Sequence, residues 1–292
     1  MGRNIQKREK EKMKFYSPLR YPGGKGRLSN CFENIIKRNK LKCNTYVEGY
    51  AGGASIALSL LIEGHAKKII INDIDRSIYA FWYSVLHKTD KLCNLIKTTP
   101  VNIPVWKKQK MIQKNKEKSN LLELGFSTLF LNRTNRSGIM KAGVIGGLNQ
   151  DGPWKMNVRY NKKDLINKIR KIAAYRDRVR LYNLDSIKLI KSLKNKTRGK
   201  TLYYFDPPYY NKGKDLYLNH YKPEDHAKVS EEITKIIKSK WIVTYDNVDK
   251  IRSLYKGYKK IKFNIHYSAG KPKKGEEIMI LCKNLNFNGH VL

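Results

Sequence analysis

The run Phe205-Asp206-Pro207-Pro208-Tyr209 sets a carboxylate, two prolines and an aromatic ring at the end of an apolar stretch, Thr201 to Phe205. A strand that ends in an acid puts it where ligands of open α/β sheets bind, beyond the carboxyl ends of the strands. The paired prolines fix the backbone there and remove two amide donors. A surface proline turn with an incidental tyrosine is the alternative, and the five residues alone do not remove it.

Three more features fall at predicted strand ends. Gly49-Tyr50-Ala51-Gly52-Gly53-Ala54 follows Tyr46-Val47-Glu48, Asp73 closes the run Lys68 to Asn72, and Asp185 follows Val179 to Tyr182. Glycines at such a turn let a ligand approach the backbone, with the next helix N-terminus facing it. An acid about 20 residues further on, as Asp73 is, suits a ribose diol. A nucleoside-bearing cofactor is implied. For the glycines alone, a tight turn packing helix on strand is the competing account. Asp185, in Asn-Leu-Asp-Ser, is equally a helix N-cap. The turn does not match Gly-x-Gly-x-x-Gly, and the chain has no P-loop; Pro22-Gly23-Gly24-Lys25-Gly26 is not one either.

The elements that must position these residues follow a strand, glycine turn, helix, strand, acid, helix order. Predicted helices span Leu28 to Arg38, Ser55 to Glu63 and Ser77 to Leu86, which is the rhythm of a parallel sheet with helical crossovers. From about His87 to Tyr160 the pattern becomes irregular and rich in lysine and glycine around one apolar helix, Leu121 to Leu131, as an inserted lobe would be. The α/β rhythm resumes with a helix near Lys163 to Tyr175, the strands at 179–182 and 201–205, further strands at Trp241 to Tyr245 and Glu277 to Cys282, and basic helices in the tail. We therefore expect a basic N-terminal arm over 1–14, a catalytic domain over 15–87 and 161–292, and a lobe over 88–160.

Composition narrows the partner. With 61 basic against 24 acidic residues, the net charge of +37 exceeds what solubility needs and points to a polyanion, nucleic acid first. Lysines accumulated on solvated faces are the bland account. An anionic membrane has no supporting apolar span or acylation signal, and the charged run Met1 to Lys14 is no secretory leader. Cys31, Cys43, Cys93 and Cys282 lie far apart with no Cys-x-x-Cys pair, and no two of the six histidines stand at zinc-ligand spacing beside a carboxylate. We expect no metal and a reducing cytoplasm.

Taken in order, these motifs resemble the Dam-type DNA adenine N6-methyltransferase family. In that family a glycine-lysine motif, a glycine-rich cofactor loop, a target recognition insert and Asp-Pro-Pro-Tyr follow one another, and the match runs from about Arg20 to Lys283. The resemblance implies a Rossmann-like, S-adenosylmethionine-dependent methyltransferase fold with a mixed, mainly parallel sheet and an inserted, mostly helical target recognition lobe. It implies methyl transfer from S-adenosylmethionine to N6 of an adenine flipped out of duplex DNA, leaving S-adenosylhomocysteine. It is also compatible with a cognate restriction endonuclease as partner and with a bacterial or phage origin.

The chemistry fits the tetrapeptide. The adenine N6 lone pair is delocalised into the ring until acceptors hold its hydrogens and favour a pyramidal nitrogen. The Asp206 carboxylate and the Pro207 carbonyl supply two such acceptors, and Tyr209 would stack on the extruded base. The resemblance places Tyr21, Lys25, Glu48, Gly52, Gly53, Asp73, Asp185 and Asp206 at the cofactor, although the family usually has Pro-Phe where this chain has Gly49-Tyr50. In the lobe it places Asn132, Arg133, Arg136, Ser137 and Lys141 at DNA. Relatives carry an aromatic and an amide where Arg136 and Ser137 stand, and 146–154 also departs from the GATC-reading members, so the site read is expected to differ from GATC.

Cytosine C5 methylation needs a Pro-Cys nucleophile, and Asn30, Lys42, Leu92 and Leu281 precede the four cysteines. Cytosine N4 enzymes usually begin the tetrapeptide with serine. RNA- or protein-directed Asn-Pro-Pro-Tyr enzymes lack the glycine-lysine motif and the insert. A DNA-binding protein with an inactive core is the rival of another class, and the intact tetrapeptide and acids argue against it.

Overall fold

The structure is a computed structural model that describes residues 15–20, 25–41, 43–193, 200–210, 221–267, 273–287, 289 and 291. The expected arm 1–14, Tyr21 and the run 22–24 lie outside the described residues.

The described strands are β1 (Thr45–Glu48), β2 (Lys68–Asn72), β3 (Val179–Tyr182), β4 (Thr201–Phe205), β5 (Lys240–Asp246), β6 (Lys259–Tyr267) and β7 (Lys273–Leu281). They form one sheet in the order β3-β2-β1-β4-β5-β7-β6. The first five are parallel, and β7 runs antiparallel between β5 and β6. This is the mixed, mainly parallel α/β sheet expected from the sequence. Chain order reverses at β1, which pairs with β2 on one side and β4 on the other. Open α/β sheets bind their ligands at such a switch point, beyond the carboxyl ends of the strands. Glu48 and Tyr204 are register partners across it, so the turn after β1 and the tetrapeptide after β4 start side by side.

Both faces of the central strands are covered, which explains their unbroken apolar runs. All five residues of β4 are buried, as are Ile69 to Asn72 in β2. The helices are α1 (Ser29–Arg38), α2 (Ser55–Ile62), α3 (Arg76–His87), α4 (Thr89–Thr98), α5 (Ile103–Lys114), α6 (Leu121–Thr134), α7 (Lys162–Ala173), α8 (Ser186–Leu193), α9 (Pro223–Glu231) and α10 (Asp249–Leu254). Side chains satisfy the orphan amides of several first turns: Asp75 caps α3, Asn102 α5, Asn120 α6 and Asn161 α7.

The sequence expectation differs from the fold in two places. In the stretch read as irregular, α4 and α5 are regular helices; Asn102 followed by Pro104 at the start of α5 is a helix-start signal. In the tail, Lys259–Tyr267 is a further strand that the sequence reading did not single out, and its Ile261, Phe263 and Ile265 recur with the period of two that a strand requires.

The helix α6 does not stand apart from the sheet. It is buried along almost its whole length and lies on α3 at Gly125, where a Cβ would sit 2.4 Å from the Ala80 carbonyl oxygen and 2.4 Å from Ser84 Oγ. Phe126, Leu129 and Phe130 of α6 share one apolar core with Phe81 and Trp82 of α3 and Ile69 to Ile71 of β2. The Trp82 indole N–H then donates to the Gly52 carbonyl over 3.0 Å, tying this packing to the turn after β1. No described helix is long and apolar enough to cross a membrane.

Candidate functional site

The turn after β1 is held from both neighbouring strands. The Gly49 N–H donates to the Tyr204 carbonyl (2.9 Å) and the Ala51 N–H to the Asn72 carbonyl (2.8 Å). The Asn72 side chain is buried, gives its amide hydrogens to Gly49 O (3.0 Å) and Leu184 O (2.9 Å), and accepts from the Leu184 N–H (2.9 Å). One amide thus joins the loops after β1, β2 and β3. Sequence reasoning missed Asn72, whose one signal is a polar residue closing an apolar strand.

Asp73 is half-buried at the end of β2. Its Oδ2 accepts from the Gly52 N–H and its Oδ1 from the Asp75 N–H, both at 2.9 Å. A carboxylate has about four acceptor sites, so capacity remains on both oxygens for a diol. Burial pushes Asp73 up to about 7, against the two backbone donors. Glu48 is buried; its Oε2 accepts from the Ala57 N–H (3.0 Å), and burial pushes the acid up to about 8. Asp185 caps α8 through the Ile187 N–H (2.9 Å). Beside it the Tyr50 hydroxyl bonds Ser186 Oγ (2.7 Å) and the Tyr221 hydroxyl (2.8 Å). Gly53 is buried in the same turn.

After β4, the Asp206 carboxylate is anchored on one side only. Its Oδ1 accepts from the Thr244 hydroxyl of β5 at 2.6 Å and lies 3.5 Å from the Lys25 ammonium. Its Oδ2 has no hydrogen-bond partner among the described residues, and the side chain is 19% exposed. Burial raises Asp206 to about 6; Lys25 opposes the rise and Glu277 adds to it. Thr244 also bonds the Tyr204 hydroxyl (2.8 Å), which continues the network into the core.

Lys25 is buried in a short 3-10 helix ahead of α1. It donates to Glu277 Oε2 (2.6 Å) and to the Tyr209 hydroxyl (2.9 Å). Burial alone would lower its pKa, but the Asp206 and Glu277 carboxylates hold it above the usual lysine value. Tyr209 is 2% exposed, and its hydroxyl donates to Glu277 Oε1 (2.6 Å), so its polar end is pinned between an ammonium and a carboxylate. Pro207 and Pro208 are buried beside it. Glu277 and Thr244 were not singled out from sequence; the only trace of Glu277 is an acid at the head of the apolar run Ile278 to Leu281.

The residues expected at DNA divide into two groups. Asn132 is buried: its amide grips both the Arg20 N–H and carbonyl (2.7 Å each) and the Gly138 carbonyl (3.0 Å). Arg133 is half-buried and donates to the Pro18 carbonyl (2.6 Å); burial, then Arg20 and Arg159, push its guanidinium down to about 10. Arg136 and Lys141 are exposed, and Ser137 is half-buried between them in the left-handed region (φ 54°). Gly138 has φ 74°, and a Cβ there would meet the Arg20 carbonyl at 2.6 Å. The loop is braced from beneath by Asn135, which accepts from the Trp106 indole (2.7 Å) and donates to the Ile139 and Met140 carbonyls (2.9 and 3.1 Å). Trp154 and Leu148 are exposed in the following segment, at 67% and 58%. Among the described residues, no group of three or more His, Cys, Asp or Glu side chains is arranged to hold a metal ion.

Glu48, Gly52, Gly53, Asp73, Asp185 and Asp206 thus stand at or just after the carboxyl ends of β1 to β4, with Lys25 beside Asp206, and Asn132, Arg133, Arg136, Ser137 and Lys141 stand at the end of α6 and just beyond it. The sequence profile of the D12 class N6 adenine-specific DNA methyltransferases matches residues 21–271. The Type II methyltransferase M.MjaIII of Methanocaldococcus jannaschii is 25% identical over 289 residues, covering 90% of this chain and 97% of that protein. Among solved structures, the rRNA methyltransferase aviRa of Streptomyces viridochromogenes aligns with TM-score 0.38 at 10% identity, over 91% of this chain and 88% of its own. A SAM-dependent methyltransferase of Agrobacterium tumefaciens aligns with TM-score 0.37 at 10% identity, over 88% of this chain and 60% of its own.

Proposed function

The chain belongs to the D12 class of N6 adenine-specific DNA methyltransferases, and from that premise we propose how its residues divide the work of methylating adenine N6 in DNA. S-adenosylmethionine, the methyl donor in this proposal, supplies an electrophilic sulfonium methyl. Asp73, with acceptor capacity left on both oxygens, takes the ribose diol. Gly52 and Gly53 let the donor approach the backbone, Glu48 and Asp185 contact it from the neighbouring strand ends, and Lys25 borders it; the expected contact from Tyr21 lies outside the described residues.

Asp206 Oδ2 accepts a hydrogen from the adenine amino group, and the Pro207 carbonyl accepts the other. Holding both hydrogens favours a pyramidal nitrogen and stabilises the positive charge that develops as it attacks. Oδ2 is also placed to receive the surplus proton of the methylated amine. Tyr209 flanks the base, which must leave the duplex stack to reach so recessed a carboxylate. The single observation that carries this reading is the asymmetry of Asp206, anchored at Oδ1 and, among the described residues, unpartnered at Oδ2.

Residues 15–87 and 161–292 form the catalytic part and 88–160 the recognition part, with Arg136, Ser137 and Lys141 facing duplex DNA. Asn132 and Arg133 shape that surface from within, their polar groups being engaged by Arg20, Gly138 and Pro18. The proposal extends to a cognate endonuclease as partner, in keeping with the Type II designation of the relative, and to a bacterial or phage-infected cytoplasm as the place of action. Incubation with labelled S-adenosylmethionine and unmethylated duplex DNA, followed by nucleoside analysis, tests the core of the proposal. Label in N6-methyldeoxyadenosine is expected; DNA binding without any transfer would sink it.

A further inference from the structure

Glu277 is a fully buried acid on β7, opposite Asp246 in the antiparallel ladder with β5. At 2.6 Å each, its Oε1 accepts from the Tyr209 hydroxyl and its Oε2 from the Lys25 ammonium. Lys25 also donates to Tyr209 (2.9 Å), closing a three-membered ring. Asp206 stands outside it, 3.5 Å from Lys25. A charge-assisted N–H···O bond is normally about 2.7–2.9 Å long, so the ammonium is committed to Glu277 and only leans towards Asp206.

That division has an electrostatic consequence. An ammonium in full contact with Asp206 would cancel most of the charge that the carboxylate offers to a nitrogen becoming cationic. We infer that Glu277 is a positioning residue, holding Lys25 and Tyr209 so that the ammonium does not pair fully with the ionised Asp206 carboxylate and the Oδ2 oxygen stays available to the adenine amino group. The inference rests on the role proposed above for Asp206.

Several titratable groups face Asp206: Lys25 from the 3-10 turn, Glu277 from β7, Glu48 and Tyr46 from β1, Tyr204 from β4 and Tyr245 from β5. The phenols are raised by burial and stay neutral. Glu48, pushed up to about 8, is still mostly protonated where Asp206 titrates, at about 6. Lys25 and Glu277 are therefore the charges that place the Asp206 titration, the first lowering it and the second raising it.

The test uses the full-length protein, duplex DNA and S-adenosylmethionine in single turnovers between about pH 5 and 8. Glu277→Gln keeps the side-chain volume and removes the charge. The plateau rate is expected to fall about tenfold or more, the acid limb to move to lower pH, and the dissociation constants for cofactor and DNA to stay within about threefold. Glu277→Asp, which keeps the charge, is expected to leave the limb in place. An unmoved limb in Glu277→Gln, whatever the rate, would make Glu277 a packing residue and overturn the inference. Should that variant not fold, Lys25→Gln and Lys25→Gln/Glu277→Gln carry the test through carbon NMR of the Asp206 carboxyl, since the double variant leaves no unpaired charge in this ring. The Asp206 titration is expected to rise in the single variant and fall back in the double; equal titrations overturn the inference. An Asp206→Asn protein with wild-type transfer would instead overturn the reading of the site itself.

Discussion

The Thr244 hydroxyl donates to Asp206 Oδ1 over 2.6 Å and, by accepting from Tyr204 at 2.8 Å, has its own hydrogen aimed at the carboxylate. A carboxylate gripped on one oxygen cannot rotate freely, so Oδ2 is presented in a fixed direction. Thr244→Val is nearly isosteric and deletes the donor. Its single-turnover rate should fall about tenfold, the size of one hydrogen bond of roughly 1.4 kcal/mol, and Thr244→Ser should recover most of it. Wild-type turnover in the valine variant would show that the anchor is dispensable.

The ionisation of Asp206 sets a pH dependence. An acceptor for amino hydrogens must be deprotonated, and burial raises this acid to about 6. Turnover should therefore climb with pH through about 6 and level off above 7. Asp206→Asn should abolish transfer, about a thousandfold or more, while calorimetric binding of S-adenosylmethionine persists. A flat profile from pH 5 to 8 would assign the acceptor role to another group.

The same burial makes stability depend on pH in an unusual direction. Glu48 at about 8 and Asp73 at about 7 bind protons more tightly folded than unfolded. Their contribution is thus fully present below the unfolded carboxyl values and is lost as pH rises through the folded ones. The unfolding free energy from denaturant titrations should fall between about pH 5 and 8.5, by on the order of a few kcal/mol for the fully buried Glu48. Glu48→Gln, which can still accept from Ala57, should flatten that slope. Equal slopes in the two proteins would refute the assignment.

What the sequence reveals and hides follows from the range of the interactions involved. The strands β1, β2 and β4 are legible because parallel strands buried on both faces read as short apolar runs closed by a polar residue, and the acids at or after their ends mark the ligand side of the sheet. Over 261–264 the strand β6 is covered on one side only, by Ile261 and Phe263, and its alternation is masked by the neighbouring lysines. Thr244 and Glu277 meet the tetrapeptide only because β5 and β7 pair beside β4, the Tyr209 to Glu277 bond spanning 68 residues. No local pattern announces such a contact. Asn132 illustrates the opposite error: a polar residue next to a basic loop looks available, yet its amide is consumed by Arg20 and Gly138.

Gly125 tests whether the recognition lobe is built onto the catalytic sheet. A methyl group there would come within 2.4 Å of the Ala80 carbonyl oxygen, inside any tolerable contact, so α6 must shift away from α3. Gly125→Ala should cost about 1–3 kcal/mol in chemical denaturation despite the better helix propensity of alanine. It should also weaken cofactor binding, because α3 carries Trp82, the donor to Gly52. A stabilised variant would mean that the helices have room to part.

Arg136 and Lys141 are the exposed cations of the braced loop, and two outcomes separate base reading from phosphate contact. A guanidinium paired with a guanine edge contributes about 1–3 kcal/mol of discrimination on the cognate site, whereas a phosphate contact weakens all sequences alike and lowers the salt slope by about one unit. Arg136 is fixed by its backbone, its N–H donating to the Gly143 carbonyl at 3.0 Å, next to the left-handed Ser137. Such a mount favours base reading, while Lys141 in the loop has no comparable fixture among the described residues. Arg136→Ala should therefore relax the methylated sequence in genomic mapping of N6-methyladenine, and Lys141→Ala should keep the sequence and reduce the salt dependence. An unchanged methylation map in Arg136→Ala, with affinity lost uniformly, would move Arg136 to the phosphate backbone.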